Sequence, residues 1–203
     1  MRRIAILTSL VLLVVALAAR GVRADEIEVR DAKLRATEDG LVLDADFAFE
    51  LTPRLADVVT NGVPLYFRVD FELTRRRWYW WDETTATRRL QLRLNYHALS
   101  RQYRLSTGLL QQNFSTLEEA LNVLRRVRNW LVLERTVLLS GGDYEAAVRM
   151  RHDTTLLPKP FQLSALTGRE LHLESPWRRF TLRALEQAPA PVESREPHAA
   201  PER

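Results

Sequence analysis

The stretch Leu65–Leu73, which reads LYFRVDFEL, alternates apolar and polar side chains. Its odd-numbered residues are all apolar, and Arg68, Asp70 and Glu72 lie at even positions between them. Successive side chains of a β-strand point to opposite faces of the sheet, so this period of two predicts a strand with one buried and one wet face. Because such strands are typical of antiparallel sheets, the stretch predicts an antiparallel β fold.

The same alternation recurs along the chain. It predicts three further clear strands, over Leu41–Glu50, Leu90–His97 and Tyr144–Arg151. The shorter candidate strands are Ile27–Arg35, Arg101–Ser106, Trp130–Leu139, Glu170–Glu174 and Phe180–Leu185. Turn residues at Glu38–Gly40 predict a hairpin between the first two strands, and those at Ser140–Asp143 predict one between two later strands. We expect a mainly β domain, an antiparallel β-sandwich of about eight to ten strands.

Helical signals are fewer. Pro53–Thr60 predicts a short helix that Asn61 and Gly62 end. Ser115 with Glu118 fits a capping box, and the apolar residues after it predict a helix over Ser115–Asn129 that covers an end or an open face of the sandwich. Asn113-Phe114-Ser115 also matches a glycosylation acceptor, but the helix cap explains Ser115 better.

The N-terminal residues 1–24 have the pattern of a secretory signal peptide. Arg2 and Arg3 precede an uncharged, mostly apolar run over Ile4–Ala19, and small residues before Asp25 predict cleavage after Ala24. The alternative is an uncleaved anchor in the inner membrane. We expect a periplasmic or secreted protein with one β-rich domain over residues 25–186. A proline-rich, disordered tail is predicted over residues 187–203.

Charge and cysteine content exclude several classes of protein. Four of the 30 basic residues lie in residues 1–24, so the remaining chain has 26 basic and 26 acidic residues and a formal net charge of zero. A neutral domain gives no electrostatic reason to expect a nucleic-acid partner. The chain has no cysteine, which excludes disulfides, a lipid-modified cysteine and thiolate metal sites.

No catalytic motif stands out in the chain. The sequence contains no glycine-rich phosphate loop, no H-E-x-x-H helix and no G-x-S-x-G elbow. The residues available for an acid–base or metal role are His97, His152, His172, Asp44, Asp46, Asp70 and Glu72. Acids that alternate along a wet strand face are expected without any catalytic function, so a solvated surface is the favoured interpretation. We expect no cofactor and no metal.

The segment Arg68–Arg104 is the strongest candidate for a binding surface. It contains nine arginines and four acidic residues, with aromatic residues between them. Such a surface can stack sugars or hold an anionic headgroup through paired hydrogen bonds. Ordinary cross-strand packing of arginine with aromatic and acidic residues is nevertheless the favoured explanation of the pattern. The predicted binding residues are Arg76, Arg77, Tyr79, Trp81, Arg93, Arg101 and Arg104.

Within this segment, Arg75–Glu83 reads RRRWYWWDE. If the alternation of Leu65–Leu73 continued, Arg75 and Arg77 would be buried, which is costly for unpaired charges. Either the strand leaves the core after Leu73, or a β-bulge near Thr74–Arg76 reverses the register, which is the alternative that we favour. The bulge predicts that Trp78 and Trp80 are buried and that Arg77, Tyr79 and Trp81 are exposed.

Four separated motifs resemble one family: RRRWYWWDE, LNYHALSRQYRLSTG, STLEEAL and LPKPFQLSAL. Together they are similar to the exported proteins of Gram-negative bacteria that contain domain of unknown function 4390, over roughly Glu26 to Leu185. The family has no established activity or catalytic residues to carry over. Because relatives are often encoded beside a membrane sensor kinase, the resemblance implies a link to envelope sensing.

These observations favour a non-enzymatic periplasmic module that binds an envelope protein, a glycan or a lipid headgroup. The alternative is a hydrolase that acts on envelope polysaccharide through His97, His152 or the strand acids. A membrane association is expected only through the signal peptide, or through the same segment as an uncleaved anchor.

Overall fold

The computed structural model describes residues 26–75, 83–134, 143–167 and 169–183. Its strands are β1 (Glu28–Ala36), β2 (Gly40–Ala48), β3 (Leu65–Arg75), β4 (Glu83–His97), β5 (Gln102–Thr107), β6 (Leu110–Phe114), β7 (Arg126–Glu134), β8 (Asp143–His152) and β9 (Arg178–Arg183). Its helices are α1 (Pro53–Thr60), α2 (Leu117–Leu124) and α3 (Lys159–Thr167), with 3₁₀ turns at Thr154–Leu156 and Arg169–Leu171.

The strands form two antiparallel sheets. One has three strands in the order β1-β2-β7, and the other has six in the order β6-β5-β4-β3-β8-β9. The two sheets share one hydrophobic core. The predicted mainly β, sandwich-like fold is therefore confirmed.

Strand β3 lies in the middle of the six-stranded sheet and carries much of the core. Its five odd-numbered residues from Leu65 to Leu73 are fully buried, and the strand pairs with β4 on one side and β8 on the other. The ring of Phe67 stacks on Phe49 at 5.5 Å, and Phe71 meets Trp130 of β7 edge-on at 6.4 Å. Full burial of such a side chain contributes about 1.5–3 kcal/mol, so these rings join the two sheets strongly.

Helix α1 has the predicted bounds. Pro53 begins it, the Thr52 hydroxyl accepts a hydrogen bond from the Leu55 amide, and Leu55, Val58 and Val59 face the core. Thr52 also donates to the Glu170 carbonyl at 2.6 Å, which ties the helix start to the second 3₁₀ turn.

The prediction of a helix over Ser115–Asn129 is wrong at both ends. The cap is Thr116, whose capping-box partner is Glu119, one residue after the predicted pair. The helix ends at Leu124 because the next residues extend and pair with β2, in the register Asp46 opposite Arg126. Val127, which was predicted to lie on the helix, is a buried strand residue.

Two other local predictions are also wrong. The strands before and after Ser140–Asp143 do not form the predicted hairpin, because β7 pairs with β2 and β8 pairs with β3 and β9. The predicted strand Glu170–Glu174 is a 3₁₀ turn followed by single bridges from Glu174 to Glu26 and Arg151. The predicted strand Trp130–Leu139 is confirmed as far as it is described, to Glu134, and it begins four residues earlier, at Arg126.

The regular pairing of β3 and β4 is interrupted close to the place where a bulge was predicted. Leu73 lies opposite Ala86 and Thr74 lies opposite Thr84, which leaves Thr85 as an additional residue on β4. Strand β3 itself keeps its pairing with β8 as far as Arg75. The predicted positions of Trp78 and Trp80 lie outside the described residues.

None of the helices within the described ranges has the length and apolar character that crossing a membrane requires.

Candidate functional site

The outer face of the six-stranded sheet carries a group of arginines that we call the arginine face. Its members are Arg68 on β3, Arg89 and Arg93 on β4, Arg104 on β5, and Arg149 and Arg151 on β8. Each alternates with apolar residues on the other side of its strand, such as Val69, Leu92 and Leu105. The period of two that builds the core therefore also places the arginines on one surface.

Asp70 is the centre of this face. It lies directly opposite Arg89 on β4 and Arg149 on β8. The Arg149 Nε donates a hydrogen bond to Asp70 Oδ2 at 3.1 Å, and the Arg89 Nε is 3.7 Å from Oδ1. The Nε atoms of Arg68 and Arg151 lie 3.1 and 3.4 Å from the same carboxylate. Four guanidinium groups thus surround one carboxylate whose side chain is only 6% exposed.

The burial of Asp70 corrects the prediction that it is a solvated surface acid. Arginine side chains from three neighbouring strands extend over it and remove it from water. A buried carboxylate is stable only when it is paired and hydrogen bonded, and the surrounding arginines meet that requirement.

Two further carboxylates compensate part of the charge. Arg68 Nη1 lies 3.5 Å from Asp153 Oδ2, and Arg149 Nη1 donates to Glu174 Oε1 at 2.9 Å. The Arg149 guanidinium also lies over the Trp177 ring, 4.5 Å from its centroid. The cluster therefore contains four arginines and three carboxylates, those of Asp70, Asp153 and Glu174. It has one excess positive charge.

The arginines around Asp70 have unused donors. The Nε atoms of Arg68 and Arg151 are buried and make no hydrogen bond, although both are near the carboxylate. Arg149 donates a hydrogen bond to Asp70, whereas the Nε atoms of Arg68 and Arg151 approach the carboxylate without hydrogen-bond geometry. The cluster is therefore richer in donors than in acceptors.

Arg93 and Arg104 form the other half of the arginine face. Arg93 lies opposite Tyr66 and Ser106, and its guanidinium is 5.9 Å from the centroid of the Tyr66 ring. Arg104 lies opposite Asn95 and Asn113, and its Nε is buried without a hydrogen-bond partner. Within the described ranges, neither arginine forms an ion pair. This half of the face holds two positive charges among neutral polar side chains.

The predicted binding residues are distributed as follows. Arg93 and Arg104 lie on the arginine face, and Arg101 is exposed in the turn between β4 and β5, with a φ of 52°. Arg76, Arg77, Tyr79 and Trp81 lie outside the described residues. Sequence reasoning missed Arg149 and Arg151 as members of the same surface. Their alternation with Val148 and Met150 was the available signal, but it does not show which strand they adjoin.

Each histidine that was considered for catalysis has a hydrogen-bond partner. His97 Nδ1 is 3.0 Å from the Ser100 hydroxyl in the turn after β4, and His172 Nε2 donates to the Ala165 carbonyl at 2.7 Å. His152 is buried at the end of β8, where its Nδ1 donates to the Leu171 carbonyl at 2.8 Å. Burial lowers the pKa of His152, although the Leu171 carbonyl and Asp153 act in the opposite direction.

The strand acids are engaged as well. Asp44 accepts hydrogen bonds from Arg35 Nε at 2.6 Å and from the Asn129 amide at 2.8 Å, and the bond from Arg35 lowers the pKa of Asp44. Asp46 pairs with Arg128. Both acids belong to the three-stranded sheet, whereas Asp70 belongs to the other sheet. Across the part of the chain that the structure describes, no three acidic or histidine residues form a group that could hold a metal ion.

A groove of ≈ 1290 Å³ lies beside the arginine face, with Trp177 in its lining. It is lined by parts of β1 and β2, by Arg125 and Arg128, and by Trp177, which also stacks on Arg149. Its charges are largely paired with each other, since Arg125 Nη1 donates to Glu118 Oε1 at 2.6 Å and Arg128 pairs with Asp46. The groove therefore offers less uncompensated charge than the arginine face does.

The fold and this surface define a two-sheet antiparallel β domain whose larger sheet presents arginines outward. The family model described as Domain of unknown function (DUF4390) matches residues 24–181, and the chain belongs to that family. The resemblance inferred from the sequence motifs is thereby confirmed. No curated protein and no solved structure matches the chain significantly.

Proposed function

We propose that this protein is a non-enzymatic, exported binding module of the cell envelope that holds an anionic group of an envelope component on its arginine face. The observation that carries the proposal is the excess of guanidinium donors on this face. Two arginines have no acidic partner among the described residues, and four others share a single central carboxylate.

Arg93 and Arg104 are the central contacts of the proposed site. They are diagonal neighbours on adjacent strands, because Arg93 pairs with Ser106 and Arg104 lies two residues before Ser106. Diagonal neighbours in an antiparallel pair are about 7–8 Å apart, which allows two guanidinium groups to converge on one phosphate or carboxylate. The buried Arg104 Nε is a donor that such a group would satisfy.

The rigid surroundings favour binding. Six antiparallel strands fix the backbone positions of the arginines, and the Asp70 cluster holds those on β3 and β8 in place. A donor set that is already positioned loses less conformational entropy when a ligand binds. Arg89 and Arg93 remain exposed and are therefore available to a large partner.

The positions of the catalytic candidates support a binding role over the hydrolase alternative. His97 and Asp44 lie in separate parts of the described structure, each with its own hydrogen-bond partner. His152, which lies within electrostatic reach of Asp153 and His172, is buried and donates to the Leu171 carbonyl. Glycoside hydrolysis requires two carboxylates at a controlled separation across a cleft. Asp44 and Asp46 lie on one sheet and Asp70 on the other, and each is engaged by arginine. The location in the periplasm and a link to a membrane sensor system are parts of the same proposal, and they rest on residues 1–24 and on the family resemblance.

In-cell photo-crosslinking tests the proposal. A photoreactive residue at Gln91, which is exposed between Arg89 and Arg93, should capture the envelope component. The double variant Arg93→Gln/Arg104→Gln should reduce capture by about tenfold or more, since each charge-assisted hydrogen bond contributes about 1.5–3 kcal/mol. Capture should also weaken as the salt concentration rises.

The matched control removes two exposed arginines of the three-stranded sheet, Arg30→Gln/Arg126→Gln, and should leave capture unchanged. Equal losses in both double variants would show that only overall charge matters and would reject the arginine face as the site. The variants His97→Ala and His172→Ala should retain the biological effect of the protein. If either abolished that effect while the protein remained folded, the non-enzymatic interpretation would be wrong.

A further inference from the structure

The outer strands of the two sheets differ in how they are protected from pairing with other chains. Among the described residues, the sheet edges are β1 and β7 in the smaller sheet and β6 and β9 in the larger one. Three of these strands carry charged residues, such as Lys33 on β1, Arg128 on β7 and Arg179 on β9. Charged side chains on edge strands discourage edge-to-edge pairing.

Strand β6 has no such protection. It reads LQQNF, with neither a charged residue nor a proline, and it lies in the uncharged run Leu105–Leu117. That run is the longest uncharged segment within the described ranges. Leu110 is 72% exposed, and the adjoining turn exposes Leu109 as well. An edge strand presents a row of unpaired backbone N–H and C=O groups, and one without charge or proline can pair with another strand.

The hairpin geometry shows which backbone groups face outward. Thr107 and Leu110 flank a two-residue turn, in which Gly108 has the positive φ of 58° that such turns favour at their first position. The flanking residues of this turn form a hydrogen-bonded pair, and bonding alternates from there along the strands. Gln112 and Phe114 therefore bond to β5, and the backbone groups of Gln111 and Asn113 point away from the sheet.

We propose that β6 pairs antiparallel with β6 of a second copy of this chain, with Gln112 on the two-fold axis. In this register Gln111 lies opposite Asn113 of the second copy, and Asn113 lies opposite its Gln111, so that all four outward backbone groups per strand are hydrogen bonded across the contact. A register shifted by one residue would place outward groups opposite inward ones.

The side chains of β6 are complementary to themselves in this register. The order apolar, amide, amide, amide, apolar reads the same in both directions. Leu110 lies opposite Phe114 of the second copy on the inner face, and amides face amides on the outer face, as Gln111 and Asn113 already do within one strand at 3.5 Å. No like charges meet on the axis, which favours a second copy as the occupant.

The contact would join the two six-stranded sheets into one. A two-fold axis perpendicular to the sheet places both outer faces on the same side, so the two arginine faces would form one surface. Five paired residues per copy bury less than the roughly 1,200 Å² of standard interfaces, so we expect a concentration-dependent dimer. This inference concerns a different surface and does not depend on the proposed function.

Disulfide trapping tests the register, since the chain has no cysteine of its own. Across the axis, Gln112 forms a non-hydrogen-bonded pair whose Cα atoms are about 4.5 Å apart, within the range that a disulfide spans. The full chain with Gln112→Cys, expressed with residues 1–24 so that the host processes it, should form a covalent dimer under mild oxidation. The controls Gln111→Cys, where the two thiols are two positions out of register, and Thr181→Cys on β9 should form little.

Charge variants test the same register without a covalent bond. Gln112→Lys places two ammonium groups opposite each other and should weaken the dimer about tenfold, measured by analytical ultracentrifugation over a concentration series. The double variant Gln111→Lys/Asn113→Glu places opposite charges across the axis and should retain the dimer. Equal melting temperatures show that each variant folds.

Three outcomes would overturn the inference. The first is a chain that stays monomeric at all concentrations and forms no more disulfide with Gln112→Cys than the controls do. The second is a dimer that Gln112→Lys does not weaken. The third is a monomer in which the Gln111 and Asn113 amides are already protected from hydrogen exchange, which would show that another segment of the same chain covers the edge.

Discussion

The two sheets of the molecule compensate their surface charges in different ways. On the three-stranded sheet the pairs are separate, with Arg35 bonded to Asp44 and Arg128 bonded to Asp46. On the six-stranded sheet, four arginines share the single carboxylate of Asp70. Separate exposed pairs contribute little to stability or to recognition. A shared, buried carboxylate instead makes several arginines depend on one residue and leaves them with unused donors.

Replacing the shared carboxylate should produce the largest effect. Asp70→Asn removes the charge that holds four guanidinium groups together, and we expect a loss of about 2–3 kcal/mol in the free energy of unfolding. This value lies below the 3–5 kcal/mol of a fully buried pair because the arginines keep part of their hydration. Their side chains are 22% to 68% exposed. Chemical denaturation measures the difference.

The matched control is Asp46→Asn on the three-stranded sheet, where the carboxylate is 37% exposed. It should cost less than about 1 kcal/mol, as exposed ion pairs do. Similar losses for Asp46→Asn and Asp70→Asn would show that the two sheets do not differ in the way described.

Mild acid should destabilise the six-stranded sheet first. Burial holds the pKa of His152 below its usual value of 6.5, so the folded protein disfavours the charged ring. The stability from the neutral ring is complete above pH 6.5 and is lost as the pH falls from there towards the folded pKa, by at most about 1.4 kcal/mol per pH unit. Thermal unfolding between pH 7.5 and 5 measures this slope.

The variant His152→Asn removes the titration and keeps an amide donor in reach of the Leu171 carbonyl, so its pH profile should be flatter in this range. Asp153 and His172 also act on His152 electrostatically and would remain in that variant. If the slope persisted unchanged, it would have to originate in groups other than His152.

The shape of the guanidinium group should matter for stability on the six-stranded sheet and much less on the three-stranded sheet. Arg149 contacts Asp70, Glu174 and the Trp177 ring at once, which a compact ammonium group cannot do. We expect Arg149→Lys to cost about 1 kcal/mol, and Arg128→Lys on the other sheet to cost clearly less. Equal losses of stability for the two variants in denaturation experiments would mean that the three contacts of Arg149 contribute nothing beyond its positive charge.

More strongly acidic conditions should destabilise the three-stranded sheet, and we expect this loss of stability to be the smallest effect. The hydrogen bond from Arg35 holds the pKa of Asp44 below its usual value of 3.8. The stability that this pair contributes is therefore present above pH 3.8 and is lost as the pH falls from there through the folded pKa. The stability of the variant Asp44→Asn should lose its pH dependence only in that range. A changed pH dependence of stability near pH 6 would contradict the assignment to Asp44.

The sequence predicts the strands well where burial alternates. The predictions for Leu65–Leu73, Leu41–Glu50 and Tyr144–Arg151 match β3, β2 and β8, apart from Phe49 and Glu50 beyond the end of β2, because an apolar face repeats every second residue and this signal is local. Strand β6 was missed because most of its residues are exposed on both faces, so no alternation exists to detect. The end of α2 was misjudged because Val127 fits helical spacing, whereas pairing with β2 decides its conformation.

The arginine face could be predicted only in part. Arg93 and Arg104 were found because they lie close together in sequence, within the segment Arg68–Arg104. Arg149 was not found because it is 79 residues from Asp70, and nothing local in the sequence shows that β8 lies beside β3. For the same reason the turn at Ser140–Asp143 was predicted as a hairpin, although its two flanking strands belong to different sheets.

The pairing of distant strands also determines when the domain can fold. The central contacts of both sheets join residues about 80 positions apart, since Asp70 meets Arg149 and Asp46 meets Arg128 at separations of 79 and 82 residues. Proteins with such non-local contacts fold slowly, because long loops must close before the contacts form. Neither sheet can be completed until β7 and β8 have been synthesised. For the exported chain that we propose, this delay keeps the polypeptide unfolded, and therefore able to cross the membrane, until most of it has been made.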